Sequence, residues 1–186
     1  MPIVALIGPD GAGKTTIANI LRRKFDYDFY KGTHEGPEVI SDVFTRAVSR
    51  ARQDRVLLCD RLHYPDDIVY SKVIHNVPST LESISSLCEN ILLGYDTILI
   101  LVTANPAVLC KRLAVRGDDY ISTPSVSLVS TLLRLYLEFL ADTDLPWYAI
   151  DTVKLRPSTS AHIVEKIIYG HWPKIYEKSV RRSLCD

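Results

Sequence analysis

Apolar and polar positions follow two different periods along this chain. Short runs that are apolar almost throughout, such as 97–103 (TILILVT), alternate with longer stretches in which apolar residues recur every three or four positions. The first pattern is typical of strands buried on both faces, and the second is typical of amphipathic helices. We therefore expect strands at 2–7, 27–31, 55–59, 97–103 and 147–150, and helices at 14–25, 38–52, 65–76, 79–93, 106–116, 125–141 and 159–169.

An alternation of strands and helices predicts a parallel sheet that is covered by helices on both faces. The chain has 186 residues, which is enough for one substantial core, and it contains no internal repeat, low-complexity tract or linker. The pattern therefore predicts a single α/β domain over residues 1–186, with three layers and a five-stranded parallel sheet.

Composition narrows the classes of function. The 22 Lys and Arg residues balance the 22 Asp and Glu residues, so there is no overall basic field to favour nucleic acid, although a local patch stays open. No apolar stretch is long enough to span a membrane and the first residues enter a strand, so we expect a cytoplasmic protein. The four cysteines lack metal or disulfide spacing and are interpreted as reduced, mostly buried thiols: Cys59, Cys88, Cys110 and Cys185.

Residues 8–15 read GPDGAGKT, a complete G-x-x-x-x-G-K-[ST] phosphate loop between the first strand and the first helix. Its glycines allow successive backbone N–H groups to converge on phosphate oxygens at the positive end of the helix. Lys14 is expected to hold the β- and γ-phosphates of ATP, and the Thr15 hydroxyl to bind Mg²⁺. The alternative is a glycine-rich turn that only caps a helix. The candidate nucleotide-binding residues are Gly8, Asp10, Gly11, Ala12, Gly13, Lys14, Thr15 and Thr16.

A second candidate site follows the strand at 55–59, where the chain continues with Asp60 and Arg61. A carboxylate at the carboxyl end of a strand beside a phosphate loop can hold water bound to Mg²⁺ or accept a substrate proton. The planar guanidinium of Arg61 could clamp a second phosphate. The alternative is an ordinary surface ion pair.

The end of the helix at 106–116 carries a third candidate. Arg112 and Arg116 are four residues apart, so they share a helical face just before a polar loop. We expect a short lid over about 112–124 that brings these arginines to the transferring phosphate. A solvated helix end, favoured by the helix dipole, is the alternative.

Together these motifs resemble the thymidylate kinase family of nucleoside monophosphate kinases. The phosphate loop has the internal aspartate and the doubled threonine of that family, Asp60-Arg61 is similar to its D-R motif, and 113–118 is similar to its helix-to-lid segment. Arg134 and Tyr136 resemble its later R-x-Y helix, and 147–152 resembles its last strand.

The resemblance implies a P-loop kinase fold and transfer of the γ-phosphoryl group of ATP to a nucleoside monophosphate, with dTMP or a related pyrimidine nucleotide as acceptor. It implies that Thr15 and Asp60 organise Mg²⁺, that Arg61 orients the acceptor phosphate and that Asp10 approaches the acceptor sugar. It implies that Arg112 and Arg116 stabilise charge from the lid. Family members are commonly homodimers.

The chain departs from the family at three places. Residues 33–37 read THEGP in place of the usual R-E-P-G segment, Leu62 stands where relatives carry tyrosine or histidine, and Pro9 stands where some relatives carry arginine. The last change leaves the lid to supply the catalytic cation. Two alternatives therefore stay open: a kinase that acts on a nucleoside or on a hydroxyl-bearing modified base in DNA, and a non-catalytic nucleotide-binding switch.

Overall fold

The computed structural model describes residues 2–25, 27–32, 55–75, 79, 81–116 and 125–173. Its strands are β1 (Ile3–Ile7), β2 (Asp28–Lys31), β3 (Leu57–Asp60), β4 (Thr97–Thr103) and β5 (Trp147–Asp151). Its α-helices are α1 (Lys14–Lys24), α2 (His63–Tyr70), α3 (Ser85–Gly94), α4 (Pro106–Arg116), α5 (Val126–Asp142) and α6 (Pro157–His171). A π-helical turn at Ser71–His75 continues α2, and a 3₁₀ turn at Glu82–Ile84 precedes α3.

The five strands form one parallel sheet in the order β2-β3-β1-β4-β5. Every residue of β1 is buried, as the apolar pattern predicts for a central strand. Outside the sheet, α1 packs against α6, while α2 and α4 both pack against α5. The predicted three-layer α/β fold is therefore confirmed.

The register places one candidate residue, Asp60, beside the phosphate loop. Leu6, near the end of β1, lies opposite Asp60, the last residue of β3. The strand predicted at 55–59 is in fact Leu57–Asp60, so Asp60 belongs to the sheet and does not follow it. Because both strands run in the same direction, Asp60 lies where β1 enters the phosphate loop.

One helix boundary differs from its prediction for a local reason. The Ser79 hydroxyl accepts the backbone N–H groups of Leu81 (3.1 Å) and Glu82 (3.2 Å) and donates to the carboxylate of Asp67. This capping starts a 3₁₀ turn at Glu82, so α3 begins only at Ser85 and not near 79. The helix predicted at 38–52 lies outside the described residues.

The described cysteines are free thiols. Cys59 and Cys88 are buried and Cys110 is partly buried, while Cys185 lies outside the described residues. Burial, assisted by the charge of Asp60, raises the pKa of Cys59 to about 12, so this thiol stays protonated and unreactive. In the described part of the chain, no helix is both long and apolar enough to cross a membrane.

Candidate active site

The phosphate loop joins β1 to α1 through backbone conformations that favour glycine. Gly8, Gly11 and Gly13 have φ angles of 125°, 77° and 102°. A Cβ on Gly8 would lie 2.3 Å from the carbonyl oxygen of Val102 in β4, so no larger residue fits there. The loop is therefore seated directly on the central sheet.

Lys14 is already positioned inside this loop. Its side chain is buried, and its Nζ donates to the carbonyl oxygens of Gly8 (2.5 Å) and Pro9 (2.8 Å). Gly13 at the N-cap of α1 provides no side chain to the first turn, so the N–H groups there keep their capacity for an anion. Thr15 and Thr16 lie exposed at the same helix end. The loop therefore has the donors that a triphosphate requires.

Asp60 provides a buried acceptor beside the loop. Its exposed fraction is 1%, and its Oδ1 has no hydrogen-bond partner in the described part of the chain. A buried carboxylate oxygen without a partner is costly, and in native proteins it often marks a place for an ion or a water molecule.

The residues present fit Mg²⁺ at this position. Mg²⁺ in phosphate-transfer sites is commonly held by one or two protein oxygens, with water and substrate phosphate completing its coordination. Asp60 Oδ1 and the Thr15 hydroxyl could supply such oxygens. Among the described residues no group of three or more His, Cys, Asp and Glu side chains could hold a metal without other ligands.

Arg61 lies between two carboxylates. One terminal nitrogen pairs with Oδ1 of Asp10 in the phosphate loop, and the other lies 3.7 Å from Oδ2 of Asp66 at the start of α2. Arg61 itself has a φ of 75°, and its backbone N–H donates to the carbonyl of Leu6 (3.1 Å). Burial disfavours the charge of Arg61, but Asp66 and nearby tyrosines raise its pKa above the ordinary value. The guanidinium is therefore a permanent cation at the end of β3.

Each of these two carboxylates also binds a buried tyrosine. Tyr70 donates its hydroxyl to Asp10 Oδ2 (2.9 Å) and accepts the backbone N–H of Asp10 (3.2 Å). Tyr136 of α5 donates its hydroxyl to Asp66 Oδ1 (2.6 Å). Burial raises the pKa of Tyr136 well above its usual value, so this hydroxyl remains a donor. We call Asp10, Arg61, Asp66, Tyr70 and Tyr136 the Arg61 cluster.

Sequence reasoning predicted Asp10 and Arg61 but missed Asp66, and it considered Tyr70 only as a core residue or as one that could stack on a base. A usable signal was present, because Asp66 and Tyr70 are four residues apart in the helix that directly follows Asp60-Arg61 and so share one face. Tyr136 was noticed only through its R-x-Y context. Its companion Arg134 is exposed and pairs with Glu138, away from the cluster.

Arg112 and Arg116 lie in different environments. Arg112 donates to the Thr152 hydroxyl (2.9 Å), to the Thr152 carbonyl (3.1 Å) and to the carbonyl of Gly11 (3.3 Å). The Thr152 hydroxyl in turn lies 3.0 Å from the carbonyl of Ala12. Arg112 therefore ties α4 to the phosphate loop and to the segment after β5. Arg116 is exposed in the last turn of α4, and residues 117–124 of the predicted lid lie outside the described residues.

Sequence comparison with known proteins identifies a relative of this chain but no matching family model. No protein-family model matches the chain. The SPbeta prophage-derived uncharacterized protein YorR of Bacillus subtilis (strain 168) is 30% identical over 157 residues, which cover 82% of this chain and 90% of YorR.

Two solved structures are similar over nearly their whole length. A crystal structure of YorR in complex with phosphorylated GDP matches with a TM-score of 0.69 and 25% identity, covering 92% of this chain and 98% of that one. A structure of deoxyadenosine kinase from M. mycoides with the products dCMP and a flexible dCDP matches with a TM-score of 0.65 and 21% identity, covering 91% and 99%. The P-loop kinase fold is thereby confirmed.

Proposed function

This chain belongs to the family of the Bacillus subtilis YorR protein, and we propose that it is an ATP-dependent phosphotransferase acting on a deoxynucleoside monophosphate, dTMP or a related pyrimidine nucleotide. One observation carries the proposal: Asp10 of the phosphate loop pairs with Arg61 at the end of the adjacent strand. The loop that grips a donor triphosphate and the arginine that can orient an acceptor therefore form one unit. The resemblance to thymidylate kinases suggests the pyrimidine.

In the proposed reaction the γ-phosphoryl group passes from the β–γ bridging oxygen of ATP to an oxygen of the acceptor, and ADP leaves. Lys14 and the loop N–H groups bind the β- and γ-phosphates and offset the charge on the leaving ADP. Mg²⁺ bound near Asp60 and Thr15 would neutralise phosphate charge. Arg61 orients the acceptor and Asp10 contacts its sugar, so the protein supplies mainly position and charge.

A nucleoside is the second candidate acceptor, favoured by the charge of the Arg61 cluster. The guanidinium is already flanked by two carboxylates, Asp10 and Asp66. A neutral sugar hydroxyl adds no further negative charge there, whereas an acceptor phosphate must compete with both carboxylates for Arg61. The structural likeness to deoxyadenosine kinase is in keeping with this alternative.

The acceptor can be identified by a screen. We expect radiolabelled ATP with Mg²⁺ to convert a pyrimidine deoxynucleoside monophosphate to its labelled diphosphate. Nucleosides, all monophosphates and DNAs with and without hydroxymethylated bases should be tested in parallel, with the Lys14→Ala protein as a control for contaminating kinases. Label on a nucleoside or on DNA would replace the monophosphate by that acceptor, and ATP binding without transfer would indicate a nucleotide-dependent switch.

The two lid arginines should respond differently to removal. We expect Arg116→Ala to lower kcat about tenfold with little change in the KM for ATP, because an exposed lid cation acts mainly on the transition state. Arg112→Ala should lower kcat, raise the KM for ATP and reduce the melting temperature, because it also removes three hydrogen bonds around the phosphate loop.

Steady-state kinetics and thermal unfolding would measure both effects, with Arg23→Ala, an exposed arginine of α1, as the control. Unchanged kcat in Arg116→Ala would remove this residue from the proposed mechanism.

We also propose a cytoplasmic location, where ATP and nucleotides are available, and a homodimer of the kind that the resemblance implies.

A further inference from the structure

The Arg61 cluster contains two residues, Asp66 and Tyr136, to which the proposed phosphoryl transfer assigns no role. Asp66 is a carboxylate with only 8% of its surface exposed, and Tyr136 is fully buried, 70 positions further along the chain. The Tyr136 ring would fill its place equally well without a hydroxyl. The hydroxyl nevertheless makes a 2.6 Å hydrogen bond to Asp66, and the other Asp66 oxygen faces Arg61.

The two carboxylates contact different terminal nitrogens of the guanidinium. Asp10 makes the shorter contact with Arg61, and Asp66 lies at 3.7 Å from the other terminal nitrogen. Without the pull of Asp66, the planar guanidinium would be free to turn fully onto Asp10, since a forked pair with one carboxylate is the strongest arrangement open to it. Such a pair would occupy both the arginine and the carboxylate that the acceptor needs.

The Tyr136 hydroxyl determines which oxygen of Asp66 faces Arg61. It fixes Oδ1 of Asp66, which leaves Oδ2 directed at Arg61. Loss of the hydroxyl would leave Oδ1 buried without a donor, and the carboxylate would then rotate towards Arg61, the cation that remains within reach. This rotation changes the position of the guanidinium.

We infer that Asp66 and Tyr136 are positioning residues for Arg61, which keep its guanidinium between the phosphate loop and the acceptor and prevent its collapse onto Asp10. The inference rests on the proposed function of the same site. It assigns a function to α5, which contributes no other residue to the Arg61 cluster. In this arrangement Tyr136 acts on the acceptor only indirectly, through Asp66 and Arg61.

Tyr136→Phe tests this inference, with Tyr64→Phe as a matched control. Tyr64 is also a buried tyrosine at the contact of α2 with α5, where its ring packs against Phe139, so its replacement tests the same packing outside the Arg61 cluster. We expect Tyr136→Phe to raise the KM for the acceptor about tenfold while the KM for ATP changes by less than about twofold. Tyr64→Phe should change neither constant. Asp66→Asn should act in the same direction as Tyr136→Phe.

A second readout does not depend on turnover. In protein labelled with ¹⁵N-arginine, a guanidinium whose two terminal nitrogens face different carboxylates should give separate Nη–H NMR signals for Arg61, assigned by their loss in Arg61→Lys. These signals should merge or shift in Tyr136→Phe and stay unchanged in Tyr64→Phe. Identical spectra in wild type and Tyr136→Phe, or equal changes in both tyrosine variants, would overturn the inference. If no acceptor is phosphorylated, the proposed function fails and the NMR comparison still decides whether Arg61 is positioned in this way.

Discussion

Replacing Lys14 by alanine should lower kcat about a thousandfold while the protein stays folded. The ammonium group lies within the phosphate loop, where it donates to the carbonyls of Gly8 and Pro9. Its charge offsets the negative charge that develops on the leaving ADP, and no other described side chain occupies this position. Single-turnover formation of ADP with saturating ATP would measure the loss, since it separates chemistry from product release.

The matched control for this variant is Lys24→Ala. Lys24 lies at the other end of α1, where its exposed side chain pairs with Glu165 of α6 at 2.8 Å. It should retain wild-type turnover, and its melting temperature should change little, because exposed ion pairs contribute at most about 1 kcal/mol. Turnover by Lys14→Ala within tenfold of wild type would contradict the site assigned to the phosphate loop.

Asp60→Asn should lower kcat about a hundredfold or more without a loss of stability. The change keeps the shape of the side chain but removes the negative charge that would hold Mg²⁺ or receive a proton. Since no described protein group bonds to Oδ1, the fold itself does not offset the cost of burying the wild-type carboxylate. The neutral amide reduces that cost, so the melting temperature should stay equal or rise.

Opposite changes in activity and stability would distinguish a functional Asp60 from a structural one. Thermal unfolding and turnover would be measured for Asp60→Asn beside Asp142→Asn, an exposed carboxylate at the end of α5. Lower stability together with lower turnover would indicate that Asp60 holds the fold together. Full turnover with ATP and Mg²⁺ would remove it from the proposed mechanism.

The sheet could be predicted from the sequence because each central strand is apolar on both faces, and no other structure accounts so well for runs such as Thr97–Thr103. The phosphate loop could be predicted because its glycine spacing is tied to one backbone geometry. The positive φ angles of Gly8, Gly11 and Gly13 agree with that expectation.

The partners of the charged side chains could not be predicted in the same way. The i, i+4 spacing of Arg112 and Arg116 correctly places them on one helix, but nothing in the spacing indicates that Arg112 bonds to Thr152, 40 residues away. Likewise, Asp60-Arg61 predicts a charged strand end, yet the hydrogen bond between Tyr136 and Asp66 depends on how α2 and α5 pack. Such contacts are set by tertiary structure and leave no periodic signal.

The hydrogen bond from the Thr152 hydroxyl to the Ala12 carbonyl joins positions 140 residues apart, and it bears on the order in which the chain folds. During synthesis the phosphate loop emerges early, but its contact with Thr152 cannot form until β5 has been translated and paired with β4. Nucleotide should therefore stabilise only chains that have completed most of their synthesis. Such sequence-distant contacts slow folding, so binding competence should appear as a late kinetic event.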